Sequence, residues 1–149
     1  MSKPFLPTLP CLCANFRRTS RALTQLYESA IRPLGLRATQ FTILQALDLA
    51  GEGSQSQLGE MLAMDSTSLT RTLAIMRRHA WIAERPGKDR RERLLRLSPA
   101  GQRKLKSALP TWEEVQSRLR HRLGESAWNQ LFELTKEVTL KVTTQGGLS

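Results

Sequence analysis

Lys88, Arg90 and Arg91 stand within four residues of one another, with Arg93 and Arg96 close behind. Ammonium and guanidinium groups at that density attract and neutralise phosphate; they are not a set that makes or breaks bonds. Residues 66–104 hold eleven basic side chains (Arg71, Arg77, Arg78, Arg85, Lys88, Arg90, Arg91, Arg93, Arg96, Arg103, Lys104) against Glu84, Asp89 and Glu92. That segment therefore carries +8 of the formal net charge of +10 of the 149-residue chain. Ordinary surfaces intersperse both signs. A local excess of this kind points to a polyanion as partner.

Other reactive side chains are sparse. Cys11 and Cys13 are too few for a disulfide framework. They lie at the start of an expected helix with Arg17 and Arg18 one turn on, a setting in which oxidant sensing is physically possible. Packing as small apolar side chains at a dimer seam is the preferred reading, because free cysteine is so often buried. His79 and His121 form no local pair with metal-site spacing, so no metal and no cofactor is expected. Nothing supports an enzyme: there is no glycine-rich phosphate loop, no clustered carboxylates and no nucleophile beside a base. Ser66 and Ser68 precede His79 on one expected helix by about 17–20 Å at 1.5 Å per residue. No run of about 18 apolar residues offers a membrane span. Pro4, Pro7 and Pro10 break up the region where a signal peptide would be apolar, and a cytoplasmic location is expected.

The elements that must position the basic cluster follow from periodicity and capping. Residues 1–10 read as an extended, proline-broken arm. A helix over Cys11–Arg32 carries Leu12, Phe16, Thr19, Leu23, Leu26 and Ala30 at alternating steps of four and three, a heptad-like seam. Pro33 and Gly35 end it. Thr39 is the expected cap of a second helix to Ala50, with Phe41, Leu44 and Leu47 inward, and Gly51 and Gly53 turn the chain. Ser54-Gln55-Ser56-Gln57 has the form of a capping box opening a short helix to Ala63. Asp65 is a good cap for the next helix, to about Ala80, and two short helices so joined are a helix-turn-helix candidate.

At 100° per residue Leu69, Leu73, Met76 and Ala80 share one face of that helix. Thr67, Arg71, Ala74 and Arg78 lie opposite, Ser68 and Thr70 on the flanks. Trp81–Arg85 and Arg93–Leu97 read as the two strands of a hairpin whose tip, Pro86–Glu92, is basic. Ser98 and Pro99 suit the start of a long helix with Leu105, Leu109, Trp112, Val115 and Leu119. Gly124 separates it from a last helix with Leu131, Leu134, Val138 and Val142. A basic helix followed by a basic hairpin is how a winged helix-turn-helix meets DNA. The expected class is mainly α with a small β-wing (α+β). The unpartnered apolar seams of the first and the last helices imply a homodimer.

This order of elements resembles the multiple antibiotic resistance regulator (MarR) family over residues 12–142. The wing pattern D-x-R-x-x-x-x-x-L-[ST]-x-x-G is met by Asp89, Arg91, Leu97, Ser98 and Gly101. Met64-Asp65-Ser66-Thr67-Ser68-Leu69-Thr70-Arg71 is similar to that family's recognition-helix entry. The resemblance implies a single domain over 1–149, with a winged lobe at about 36–98 and dimerisation helices at about 11–35 and 99–143. It implies a homodimeric regulator, by expectation a repressor, that binds a palindromic operator and is released by a small aromatic or lipophilic ligand; oxidant sensing through Cys11 and Cys13, whose surroundings do not match the local motif of the family's oxidant sensors, is the alternative. Carried onto this chain, it puts Arg91 in the minor groove with Asp89 orienting the wing. Thr67, Ser68 and Arg71 would face base edges, while Thr70, Arg78, Lys88 and Arg90 would meet phosphates. Arg77, nearer the buried side, is expected to be structural. A ligand pocket between the dimer helices and the winged head would draw on Phe16, Leu23, Phe41 and Trp112. A charge-reading architectural protein for RNA or DNA is the rival, told apart by its failure to prefer one palindrome over bulk duplex.

Overall fold

The computed structural model describes residues 5–144, which divide after Trp112 into two compact units. In the first, α1 (Leu12–Ile31) leads through one turn of 3-10 helix (Arg32–Leu34) to α2 (Ala38–Ala50), β1 (Gly53–Ser54), α3 (Gln55–Leu62), α4 (Ser66–Arg78), β2 (Ile82–Pro86), β3 (Arg93–Leu97) and the start of α5 (Pro99–Leu123). The second holds the rest of α5 and α6 (Glu125–Thr144). Among the described residues no helix is long and apolar enough to cross a membrane.

The expected mainly helical class with a small wing is present, with one correction. The hairpin has a third strand: the antiparallel order is β1-β3-β2, with Gly53 opposite Leu95 and Ser54 opposite Leu94. Two residues are too short to show alternation, so in the sequence they pass for part of a turn. The core of this unit includes Ile43, Leu44, Leu47, Leu69, Leu73, Met76 and Leu95, none more than 1% exposed. Full burial of a side chain of this size contributes about 1.5–3 kcal/mol. Three of the seven lie on α4, so packing fixes that helix's rotation and hence which residues it turns outward.

The expected cap at Thr39 is not used. Thr39 lies inside α2, whose first N–H, that of Ala38, donates to Glu28 Oε2 at 2.6 Å, and whose Arg37 N–H donates to Gln40 Oε1 at 2.9 Å. The donor is satisfied from another helix, a tertiary contact that local capping preferences cannot register. Ser54 behaves as expected: its hydroxyl accepts from Gln57 N–H at 3.1 Å, and Gln57 Oε1 accepts from Ser54 N–H at 2.9 Å. Ala80 does not join Leu69, Leu73 and Met76 in the core. It is exposed at φ +56°, past the end of α4, where its N–H donates to the Arg77 carbonyl and the N–H of Trp81 to that of Met76. These two bonds close the helix in the Schellman manner, with alanine where glycine is usual.

The start of α5 meets this corner. Ser98 Oγ accepts from Gly101 N–H at 3.0 Å and donates to the Ala80 carbonyl at 2.5 Å, while Ser98 N–H donates to the Trp81 carbonyl at 3.0 Å. A Cβ on Gly101 would lie 2.1 Å from the Trp81 carbonyl oxygen, so only glycine fits. In the second unit Gly124, at φ +81°, ends α5, and Arg120 bridges to both carboxylate oxygens of Glu125 at 2.6 Å. The following helix, α6, buries none of its residues.

Candidate nucleic-acid interface

The outward face of α4 is built from its N-terminus. Asp65 Oδ1 accepts from Ser68 N–H at 2.8 Å, and that hydrogen bond holds the Asp65 carboxyl below its ordinary pKa. Thr67, Ser68, Thr70, Arg71 and Arg78 are all exposed. Thr70 has a partner the sequence does not reveal: its Oγ1 accepts from Gln55 Nε2 at 2.7 Å, tying the first residue of α3 to the second turn of α4. The hydroxyl proton of Thr70 stays free to meet a phosphate oxygen.

The wing tip is held by its own backbone. Gly87 N–H donates to the Glu92 carbonyl at 2.8 Å and Glu92 N–H to the Asp89 carbonyl at 3.0 Å. Asp89 Oδ1 accepts from Arg91 N–H at 3.1 Å, a charge-assisted bond to the main chain. The carboxylate thus orders the tip while the Arg91 guanidinium stays exposed beside exposed Lys88 and Arg90.

Arg96 and Arg103 form no ion pair among the described residues and Lys104 donates to the Leu34 carbonyl; the other eight members of the basic cluster divide into two sets. One is held by carboxylates. Arg85 makes a two-pronged pair with Glu52, Nε to Oε2 at 2.7 Å and Nη2 to Oε1 at 2.5 Å, and that contact holds the Glu52 carboxyl below its usual range. Glu84 Oε1 accepts from Arg77 Nε at 2.5 Å, and its Oε2 lies 3.7 Å from Arg93 Nε. The structural role expected of Arg77 has this physical form. The other set, Arg71, Arg78, Lys88, Arg90 and Arg91, forms no ion pair among the described residues. Read from the sequence alone, Glu52 has no role and Glu84 counts only as charge; the scarcity of acids near the cluster is the one available signal of their pairing.

Of the four side chains assigned to a ligand pocket, two meet within the single chain. Phe41 and Trp112 meet at a ring-centroid distance of 6.1 Å, Phe41 within the core and Trp112 against it. Phe16 and Leu23 stay on α1, which buries only Ile31, and Phe16 lies about 22 Å along the helix from that residue at 1.5 Å per residue. Cys11 and Cys13, expected to pack at a dimer seam, are both exposed in the single chain. Cys11 takes the N-cap position of α1 without a side-chain cap bond, and Cys13 Sγ accepts from Arg17 Nη2 at 3.3 Å.

No family model matches the chain. Among solved structures it is similar to the transcriptional regulator MosR of M. tuberculosis in complex with DNA, at 30% identity and a TM-score of 0.79, covering 90% of this chain and 97% of that one. A variant of MarR from E. coli complexed with operator DNA shares the fold, at 22% identity and a TM-score of 0.76, covering 85% and 92% of the two chains. YwoH of Bacillus subtilis (strain 168), described as an uncharacterized HTH-type transcriptional regulator, is 25% identical over 93 residues, 62% of this chain and 68% of that protein.

Proposed function

This chain belongs to the MarR family of winged helix-turn-helix transcriptional regulators, and from that premise we propose that it binds double-stranded DNA as a homodimer, recognising a palindromic operator. One observation carries the reading: on the outward face of α4 and at the wing tip, the exposed cations Arg71, Arg78, Lys88, Arg90 and Arg91 have no carboxylate partner among the described residues. Thr67, Ser68 and Arg71 read bases in the major groove, where a two-pronged arginine–guanine contact is worth roughly 1–3 kcal/mol of discrimination. Arg91 enters the minor groove, whose negative potential is enhanced where it narrows. Thr70, Arg78, Lys88 and Arg90 hold phosphates, and Asp89 keeps the tip in shape. Repression, relieved by a small aromatic or lipophilic ligand, completes the reading.

The test starts from a duplex enriched out of a random library by the wild-type protein, compared with a scrambled duplex of the same composition. The wild type should prefer the enriched duplex by about 10³-fold or more. Arg91→Ala, folded, should lose affinity, and Arg90→Ala, which removes a phosphate contact, should flatten the slope of log affinity against log salt by about 0.9. Equal affinity for both duplexes would make the protein an architectural binder instead.

A second mode of regulation is favoured by the exposure of both thiols and by the Arg17 contact to Cys13. Joining Cys11 to Cys13 releases two protons and two electrons, taken up by a hydroperoxide that leaves as water and an alcohol. Cys11 lies at the extended N-cap and Cys13 in the first turn of α1, so the bridge would close across the start of the helix. DNA release by peroxide, reversed by reductant and lost in the Cys11→Ser/Cys13→Ser protein, supports this mode; release that persists in the double variant excludes it.

A further inference from the structure

We propose that Glu84 is a positioning residue that sets the recognition helix against the wing and keeps two arginines away from DNA phosphates. The inference rests on the DNA-binding reading above. It joins three elements: Arg77 from the last turn of α4, Glu84 from β2 and Arg93 from the first position of β3. The sheet register explains the meeting of the two strands. Glu84 lies opposite Leu95, so Arg93, two residues before Leu95, is on the same face and diagonally placed, within reach of a long side chain.

The carboxylate is well placed for the role. Its side chain is 22% exposed, against 37% for Arg77 and 63% for Arg93, so the anion is the sheltered partner and the two cations are the wetter ones. At 2.5 Å the Arg77 bond is a short charge-assisted one. Neither Thr67, Ser68 and Arg71 on α4 nor Arg91 at the tip can be in register with DNA unless the helix and the hairpin keep a fixed relation. The Arg77–Glu84–Arg93 chain is the polar link between them. It lies on the core-facing side of the hairpin, whereas the Arg85–Glu52 pair ties β2 to the turn before β1. The same link has a negative effect on generic binding. Arg77 and Arg93 flank the free cations, and an arginine held by a carboxylate is not available to a phosphate.

Glu84→Gln keeps the side chain's shape and removes its charge. Affinity for the scrambled duplex should rise several-fold, and the salt slope on that duplex should steepen by about 0.9 for each arginine that gains a phosphate. The ratio of enriched to scrambled affinity should fall, because generic contacts are added while helix and wing lose their fixed relation. Arg77→Gln is the companion: it cuts the same link without releasing a cation, so the ratio should fall with no steepening. A variant serving only the fold would weaken both duplexes equally and leave the slope unchanged, and that result in either protein refutes the proposal. So does an unchanged ratio. The wild type is the control for the underlying reading, since failure to prefer the enriched duplex counts against the operator function and not against Glu84.

Discussion

Gly101→Ala is the substitution whose effect the structure defines most sharply. The added Cβ would lie 2.1 Å from the Trp81 carbonyl oxygen, 3.0 Å from its carbon and 3.2 Å from its Cα. All three are main-chain atoms, so no side chain can swing aside. Bringing the closest contact out to 3.0 Å requires the start of α5 and the chain at Trp81 to part by about 0.9 Å. Two hydrogen bonds oppose that motion, Ser98 N–H to the Trp81 carbonyl and Ser98 Oγ to the Ala80 carbonyl. Overpacking a tight site costs about 1–3 kcal/mol, and a backbone clash on both sides belongs at the upper end. For a chain of this size about 2–3 kcal/mol corresponds to a drop in Tm of roughly 4–12 °C. Trp81 also leads directly into β2, so the displaced segment carries the wing with it. Thermal unfolding followed by circular dichroism checks the first expectation, and operator affinity at a temperature where the variant is fully folded checks the second. A melting temperature within 1 °C of wild type would refute the reasoning, because no side-chain rearrangement can absorb the contact.

Three further outcomes follow from the geometry. Arg71→Ala should lower the preference for an enriched duplex over a scrambled one, whereas equal weakening on both would reassign Arg71 to the phosphate backbone. The protein should sediment as a dimer at micromolar concentration, since α1 exposes Leu12, Phe16, Leu23 and Leu26, and α6 exposes Leu131, Phe132, Leu134 and Val142; a folded monomer at that concentration contradicts it. The Asp65 cap should fail only in acid. Its carboxyl titrates below its ordinary value in the folded state, so its stabilisation is present above the unfolded value near pH 4 and is lost as pH falls through the lower folded value. The stability gap between wild type and Asp65→Ala should therefore hold from pH 7 to pH 5 and narrow only below about pH 4. Narrowing already between pH 7 and pH 5 would assign the effect to another group.

Local chemistry was legible where a residue's partner is a few positions away. Asp65 with Ser68, Ser54 with Gln57, and Ser98 with Gly101 are all contacts across three residues, and capping preferences state them in advance. The strand Arg93–Leu97 was legible from alternation, with Leu95 and Leu97 buried and Arg93 and Arg96 exposed. What the sequence hides is the partner that arrives from far along the chain. Glu28 caps α2 across ten residues, Gln55 reaches Thr70 across fifteen, and Glu52 holds Arg85 across thirty-three. None has a periodic signature, because each depends on where the core places two elements.

The same distinction bears on the charge cluster. Eleven basic side chains in one segment announce a polyanion partner, but a formal charge sum treats every cation alike. The fold does not. Arg77, Arg85 and Arg93 are set against carboxylates and give the wing its attachment, while Arg71, Arg78, Lys88, Arg90 and Arg91 are left to act outward. Two glutamates thus do more to define the interface than their number suggests. A free arginine supplies attraction to any phosphate, whereas an arginine held by Glu84 or Glu52 supplies orientation, and only orientation lets the attraction depend on base sequence.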